Sequence, residues 1–248
     1  MALTPRQREV LQHMGIPVWV PRDQAFALPR VAAGRAGPRP SSLPGAEPSQ
    51  PDAVPRVQTP VSALDWEALR GRVAACTACA ELASRRTQTV FGVGDPDAEW
   101  LFIGEAPGAE EDRRGEPFVG RAGQLLDNML AALGLRRGEN VYIANILKCR
   151  PPGNRDPAPA EAASCRPFLD RQIDLIQPRV IVALGRVAAQ ALLDSDAPLG
   201  RLRGRDHAFR GVPLIVTYHP AYLLRSPGDK GQAWRDLRRA RDRAVRQA

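Results

Sequence analysis

Four short runs along the chain are apolar almost throughout: EWLFI from Glu99, VYIANIL from Val141, RVIVAL from Arg179 and VPLIVTY from Val212. Runs this short, with no polar alternation, predict strands buried on both faces. The stretches between them place their apolar residues at helical spacing. AGQLLDNMLAALG (122 to 134) reads as a helix stopped by Gly134, and residues 159 to 176 as a helix interrupted or restarted at Pro167. RVAAQALL (186 to 193) is a further helix, and a closing one follows from about Gly231. Strands and helices alternating in this way predict an α/β fold, a three-layer αβα sandwich around a central, mainly parallel four-stranded sheet.

Upstream, VSALDWEALRGRVAAC places Leu64, Leu69 and Val73 at mixed helical spacing behind a Ser62 cap, predicting a helix that runs into the first cysteine pair. Before it the pattern gives out. Between Pro29 and Pro60 there are eight prolines, three glycines and few large apolar residues. That is too little burial to offset the ordering entropy of the chain, so 29–60 is expected to be a disordered linker. Residues 1–28 hold TPRQREVLQHMGI, where Thr4 can cap and Val10, Leu11 and Met14 share a face, predicting an N-terminal extension with a short helix. Residues 61–248 are left as one domain able to bury a sizeable core.

Composition adds constraints on setting and partners. The chain is 44% hydrophobic yet has no apolar run of the length that crosses a membrane, and it lacks a basic segment leading into an apolar one at its start. It is expected to be cytoplasmic, with no membrane contact. The formal net charge is +8, and the last 48 residues carry twelve Lys/Arg against four Asp, so the whole excess sits there. A local basic field of this kind attracts phosphate backbones. The run RDLRRARDRAVRQA also reads as the solvated face of a last helix.

In a reducing compartment the four cysteines, Cys76, Cys79, Cys149 and Cys165, read as metal or cluster ligands rather than disulfides. Cys76 and Cys79 form a CxxC at a helix end, and Cys149 and Cys165 flank a proline-rich loop. Four thiolates drawn from two parts of a fold suit tetrahedral zinc or an iron–sulfur cluster, and spacing does not choose between them. Either would staple the first helix to the loop after the second strand.

The remaining chemistry gathers at strand ends. The acidic turn GEAPGAEED (104 to 112) follows the first strand, at the sheet edge where open α/β folds bind ligands. Phe118 in GEPFVG follows that turn, Asn145 lies near the end of the second strand, and His219 in YHPAYLLRSP lies just after the fourth. A carboxylate at Glu105, an aromatic face, a carboxamide and an imidazole on one edge form a pocket for a flat heterocycle. The aromatic stacks, the amide reads donors and acceptors, the imidazole supports a developing anion, and the carboxylate handles water or positive charge.

GEAPGAEED, PFVG, ANILKCRPPGNRDP and YHPAYLLR, in this order and with these cysteine spacings, resemble the family 4 uracil-DNA glycosylases, the iron–sulfur members of that superfamily. The resemblance covers roughly Val73 to the C-terminus. It implies that Cys76, Cys79, Cys149 and Cys165 ligate a 4Fe–4S cluster, which decides against zinc. It implies that Glu105 orients water and stabilises the sugar cation, that the Ala106 N–H binds a uracil carbonyl, and that Phe118 stacks on the ring. Asn145 would separate uracil from cytosine, Glu111 would exclude the thymine methyl, and His219 would donate to O2 of the departing uracilate. Flipping a base needs a wedge, for which Leu223 and Leu224 are candidates, while Asn154, Arg155 and Arg225 are candidate phosphate clamps.

The implied protein is a monomer acting on uracil in single- or double-stranded DNA, with a possible protein partner for its N-terminal extension. No lysine stands in a motif position for a Schiff base, so a monofunctional enzyme is expected. A related group that traps DNA covalently carries GEQPG and an inserted histidine; this chain has Ala106 and no such insertion. The alternative is a non-enzymatic iron–sulfur protein that binds DNA beside a polymerase or recombination complex.

Overall fold

The structure, a computed structural model, describes residues 59–246. The helix expected within 1–28 and nearly all of the expected linker at 29–60 lie outside the described residues. Helices α1 (Trp66–Ala74) and α2 (Ala80–Arg85) precede strands β1 (Val93–Gly94) and β2 (Trp100–Gly104). Helices α3 (Ala109–Arg114) and α4 (Arg121–Ala132) lead to β3 (Val141–Asn145), and α5 (Pro159–Ile176) leads to β4 (Val180–Leu184). Helices α6 (Arg186–Leu193) and α7 (Leu199–Leu202) lead to β5 (His207–Phe209) and β6 (Val212–Thr217), after which come α8 (Pro220–Arg225) and α9 (Lys230–Arg246).

The strands form one six-stranded sheet in the order β1-β3-β2-β4-β6-β5. The four central strands, β3, β2, β4 and β6, run parallel. The expected four-stranded sheet therefore needs correction, since β1 and β5 add antiparallel edges. At two and three residues, they are too short to leave a period-two signature in the sequence.

Successive side chains of a strand point to opposite faces, and both faces are covered here. Leu101, Ile103, Tyr142, Ala144, Ile181 and Val216 pack with Leu169 and Ile173 of α5 and Ala188 and Leu192 of α6. Trp100, Phe102, Ile143, Val182 and Ile215 pack with Leu126 and Leu130 of α4 and Leu237 and Ala240 of α9. The αβα sandwich follows from that division. All five residues of β2 are buried, which is why its sequence shows no polar alternation.

Three local expectations are revised. The cap of α1 is Asp65, whose Oδ1 accepts the Ala68 N–H at 2.8 Å, while Ser62 sits in an isolated 3₁₀ turn, Val61–Ala63. A short helix, α2, starts at Cys79 as its N-cap. Helix α5 runs unbroken through Pro167, because Pro167 and Ala163, whose carbonyl it leaves unbonded, are both exposed to water. Among the described residues no helix is long and apolar enough to cross a membrane.

The basic last helix lies against the sheet through Ala233, Leu237, Ala240 and Ala244, with Arg235, Arg238 and Arg241 exposed. Its one buried acid, Asp236, accepts from Arg203 at 2.7 and 2.8 Å, and that guanidinium lies 3.9 Å from the centre of the Tyr218 ring. Replacing Asp236 by Ala leaves the buried Arg203 charge without its carboxylate. Denaturant unfolding of this variant is expected to show a loss of about 3 kcal/mol.

Candidate active site

The ends of β2 and β3, the turn after β2, the loop after β3 and the start of α8 enclose a cavity of about 470 Å³. That volume is in the range of small-molecule sites. Its walls bring together Glu105, Ala106, Glu111, Phe118, Asn145 and His219 from the sequence reading, with Asn154 and Arg225 at the same cavity.

The packing at this edge is tight enough to dictate residue types. A Cβ on Gly104, the last residue of β2, would lie 2.5 Å from Asn145 Oδ1 and 2.7 Å from the Phe118 ring, so only glycine fits. A Cβ on Gly123 would lie 1.7 Å from the Phe118 carbonyl oxygen, which lets α4 start directly under that residue. Phe118 itself holds φ at 55°, a left-handed conformation costing an L-residue roughly 1–2 kcal/mol. Beside it, Glu111 Oε1 accepts from the Val119 and Gly120 N–H groups at 3.0 and 3.2 Å. The carboxylate thus caps α4, besides forming part of the cavity wall.

The polar groups differ in what they have left to offer. Asn145 is 2% exposed, and its Oδ1 is buried with no partner. Its carbonyl accepts from Lys148 Nζ at 2.9 Å, and burial pulls that ammonium down to about 8. The Ala106 N–H makes no hydrogen bond among the described residues. His219 is the N-cap of α8, and its Nδ1 accepts the Ala221 N–H at 3.1 Å. A ring that accepts at Nδ1 carries its proton on Nε2 when neutral. Neutral it is: burial, with Arg225 adding to the effect against Glu111, pulls its pKa to about 4. The imidazole stands 5.4 Å, centre to centre, from the Phe118 ring.

Glu105 is the reverse case. Burial first, then the negative charge of Asp156, push its carboxyl up to about 7, while Arg186 pulls it down. Asp156 and Arg186 form an ion pair at 2.5 Å. Sequence reasoning misses both. Asp156 stands one residue beyond Arg155 in the loop read for phosphate clamps, and its sign gave it no part in that role; Arg186 opens a helix with nothing to single it out.

The candidates for contact outside the cavity separate. Arg225 ends α8 and is exposed, and Asn154 Oδ1 accepts from Arg150 at 2.8 Å. Arg155 instead directs its guanidinium to Glu161 at 2.7 Å and Glu81 at 3.1 Å, pinning its loop to α5 and α2. Leu223 is 1% exposed and borders a groove with Leu125, Met129 and Trp234, whereas Leu224 is 36% exposed. Of the two wedge candidates only Leu224 stands free.

A second, apolar cavity is lined by Cys76, Cys79, Cys149 and Cys165 with Val73, Leu82, Leu147 and Phe168. Arg86 donates to Cys149 Sγ at 2.9 Å, and the Lys148 amide donates to Cys165 Sγ at 3.3 Å. Burial raises the proton affinity of Cys79, Cys149 and Cys165, the last to about 11. The donor set is all sulfur, with two N–H donors aimed at it, and suits a thiophilic group that displaces the protons on binding. Among the described residues no three Cys, His, Asp or Glu side chains form a group that could hold a single metal ion.

The profile of the Uracil DNA glycosylase superfamily matches residues 91–238. A type-4 uracil-DNA glycosylase of Archaeoglobus fulgidus is 47% identical over 163 residues, 62% of this chain and 81% of the relative. One from Thermotoga maritima is 48% identical over 162 residues, 64% and 83% of the two chains. A type-5 uracil-DNA glycosylase of Thermus thermophilus is 33% identical over 195 residues, 63% and 87%.

The electrostatics of Glu105 can be measured directly. In carboxyl-labelled protein its carbon resonance is expected to titrate near pH 7. Asp156→Asn removes a neighbouring negative charge and lowers that midpoint, and Arg186→Gln raises it.

Proposed function

The chain belongs to the Uracil DNA glycosylase superfamily, and on that premise we propose how its residues carry out the reaction. It is a hydrolase of N-glycosyl bonds that excises uracil from DNA in repair, leaving an abasic site. The observation that carries the residue assignment is the buried, partnerless Oδ1 of Asn145 beside the Phe118 ring. Leaving a buried acceptor unbonded costs about 1–3 kcal/mol, a cost relieved by a ligand that donates there. Uracil offers N3–H to Oδ1 and O4 to the amide nitrogen. Cytosine offers an acceptor at N3 and an amino group, so both contacts fail.

The other roles follow from protonation state. The base is stacked on Phe118 after flipping out of the helix, with Leu224 as the wedge and Arg225 and Asn154 toward phosphates. Neutral His219 donates from Nε2 to O2 of the departing uracilate, and the free Ala106 N–H adds a second donor. Glu105, as a carboxylate, stabilises the sugar cation and orients water at C1′. Glu111, in the cavity wall, is assigned to exclude a methyl at C5. The only buried lysine bonds the Asn145 carbonyl, so no amine is at hand for a Schiff base, and the enzyme is monofunctional.

The four cysteines are read as holding a 4Fe–4S cluster. What supports this is that the four thiols line one shared cavity in a chain that resembles the iron–sulfur members of its superfamily. When bound, it supplies four thiolate links tying α1, α2 and α5 to the loop after β3. The proposed organisation is a catalytic domain at 61–248, a linker at 29–60 and an extension at 1–28 open to a protein partner, in a cytoplasmic monomer.

Wild-type protein is expected to release uracil from a single-stranded oligonucleotide, and Asn145→Ala to lose on the order of 10²-fold in single-turnover rate or more. DNA binding without release by the wild type would instead favour a non-enzymatic DNA-binding protein. Because Glu105 acts ionised and titrates near 7, the rate should rise with pH and level off above that value; His219, neutral above about pH 4, adds no second limb in that range. Purified protein should contain iron and acid-labile sulfide in equal amounts, and Cys149→Ser should lose both.

A further inference from the structure

We propose that Arg137, in the turn between α4 and β3, is a positioning residue for excision: its guanidinium fixes the two peptide carbonyls at Phe118 and so holds the stacking ring in the cavity wall. The inference rests on the reading of Phe118 as the face that receives the base.

The contacts are complete on both sides of the ring. Nη1 of Arg137 donates to the Pro117 carbonyl and Nη2 to the Phe118 carbonyl, each at 2.9 Å, while Nε donates to Asp127 Oδ1 at 2.9 Å. All three nitrogens are therefore engaged, and the side chain is only 21% exposed. The turn that presents Arg137 is itself closed, with the Glu139 amide donating to the Arg136 carbonyl at 3.1 Å and Gly138 at φ 85°. Asp127, from α4, takes the Nε–Nη2 edge of the guanidinium, its Oδ1 lying 2.9 Å from both nitrogens.

Phe118 holds a backbone conformation that an aromatic residue does not prefer. It stays there because its neighbouring peptide groups are bound by side chains remote in sequence. Glu111 takes the amides of Val119 and Gly120, and Arg137 takes the carbonyls of Pro117 and Phe118. A planar fork reaches two carbonyls at once, and a single ammonium does not. Without the fork only the Glu111 contacts on the following amides oppose relaxation of φ to negative values, which turns the ring away from Asn145, Gly104 and His219. The ring is thus placed by a residue that takes no part in binding the base.

The test is a double-mutant cycle on single-turnover uracil release with Arg137→Met, Phe118→Ala and the pair. Arg137→Met alone is expected to lose on the order of 10²-fold, as a misplaced reacting group does. In the Phe118→Ala background it should cost less than about threefold, because the loss is routed through the ring. Arg137→Lys should recover part of the rate, and millimolar guanidinium, but not urea, should restore part of it in Arg137→Ala. Losses that multiply independently in the cycle would overturn the proposal. If Arg137→Met does not fold, as judged by circular dichroism, the same cycle with Arg137→Lys decides by the same criterion. Absence of uracil release from the wild type would defeat the functional reading, whereas release with independent losses would defeat the role of Arg137 alone.

Discussion

No side chain fits at the end of the central strand, and most of the site follows from that. With hydrogen alone at Gly104, the Phe118 ring and the Asn145 amide close to distances a methyl would forbid. The cavity therefore opens where β2 ends, with Asn145 of β3 and Phe118 of the segment between α3 and α4 closing over that end. Parallel pairing then fixes the depth of each group. Gly104 pairs with Asn145 across β2 and β3, and β4 connects β2 to β6, after which His219 caps the next helix. The positions of Gly104 and Asn145 are thus set by the sheet, and the loops close around them.

Burial sets the chemistry within that frame, in opposite senses for the two ionisable groups. Removing a carboxyl from water raises its proton affinity and removing an imidazole lowers it. Glu105 is accordingly poised near neutrality, and His219 is uncharged with its one proton on the nitrogen left free by the helix cap. On the proposed roles, a neutral donor meets the developing anion and a carboxylate the developing cation, the charge separation a dissociative bond cleavage needs. Asp156, in the cavity wall, and Arg186, paired with it, adjust the carboxylate in opposite directions.

Much of this was legible in the chain itself. The buried strands show as apolar runs because both faces are covered, and Phe118, Asn145 and His219 attract notice because polar or aromatic chemistry at successive strand ends has few structural reasons to coincide. Features without a local pattern stayed hidden. Strands β1 and β5 are too short for periodicity, and Pro167 breaks no helix because it and Ala163, whose carbonyl it leaves unbonded, both lie at the exposed surface. Leu223 and Leu224 are equivalent as letters, and only packing against α4 and α9 buries the first. Arg137 and Asp156 act through contacts spanning loops, which no spacing rule reports.

The loop after β3 joins the two cavities, and this gives the cysteines a mechanical meaning. Asn145 ends the strand, and four residues later Cys149 lies in the sulfur-lined cavity. Lys148, fully buried between them, bonds the Asn145 carbonyl through its side chain and Cys165 through its amide. Beyond Cys149 the chain is pinned again by Arg150 to Asn154 and by Arg155 to Glu81 and Glu161 before Asp156 reaches the cavity beside Glu105. A proline-rich loop of this length has few backbone bonds of its own to hold it. Any group that locks the four thiols together therefore fixes the segment that carries the Asn145 amide at one end and, at the other, the Asp156 carboxylate that raises the proton affinity of Glu105.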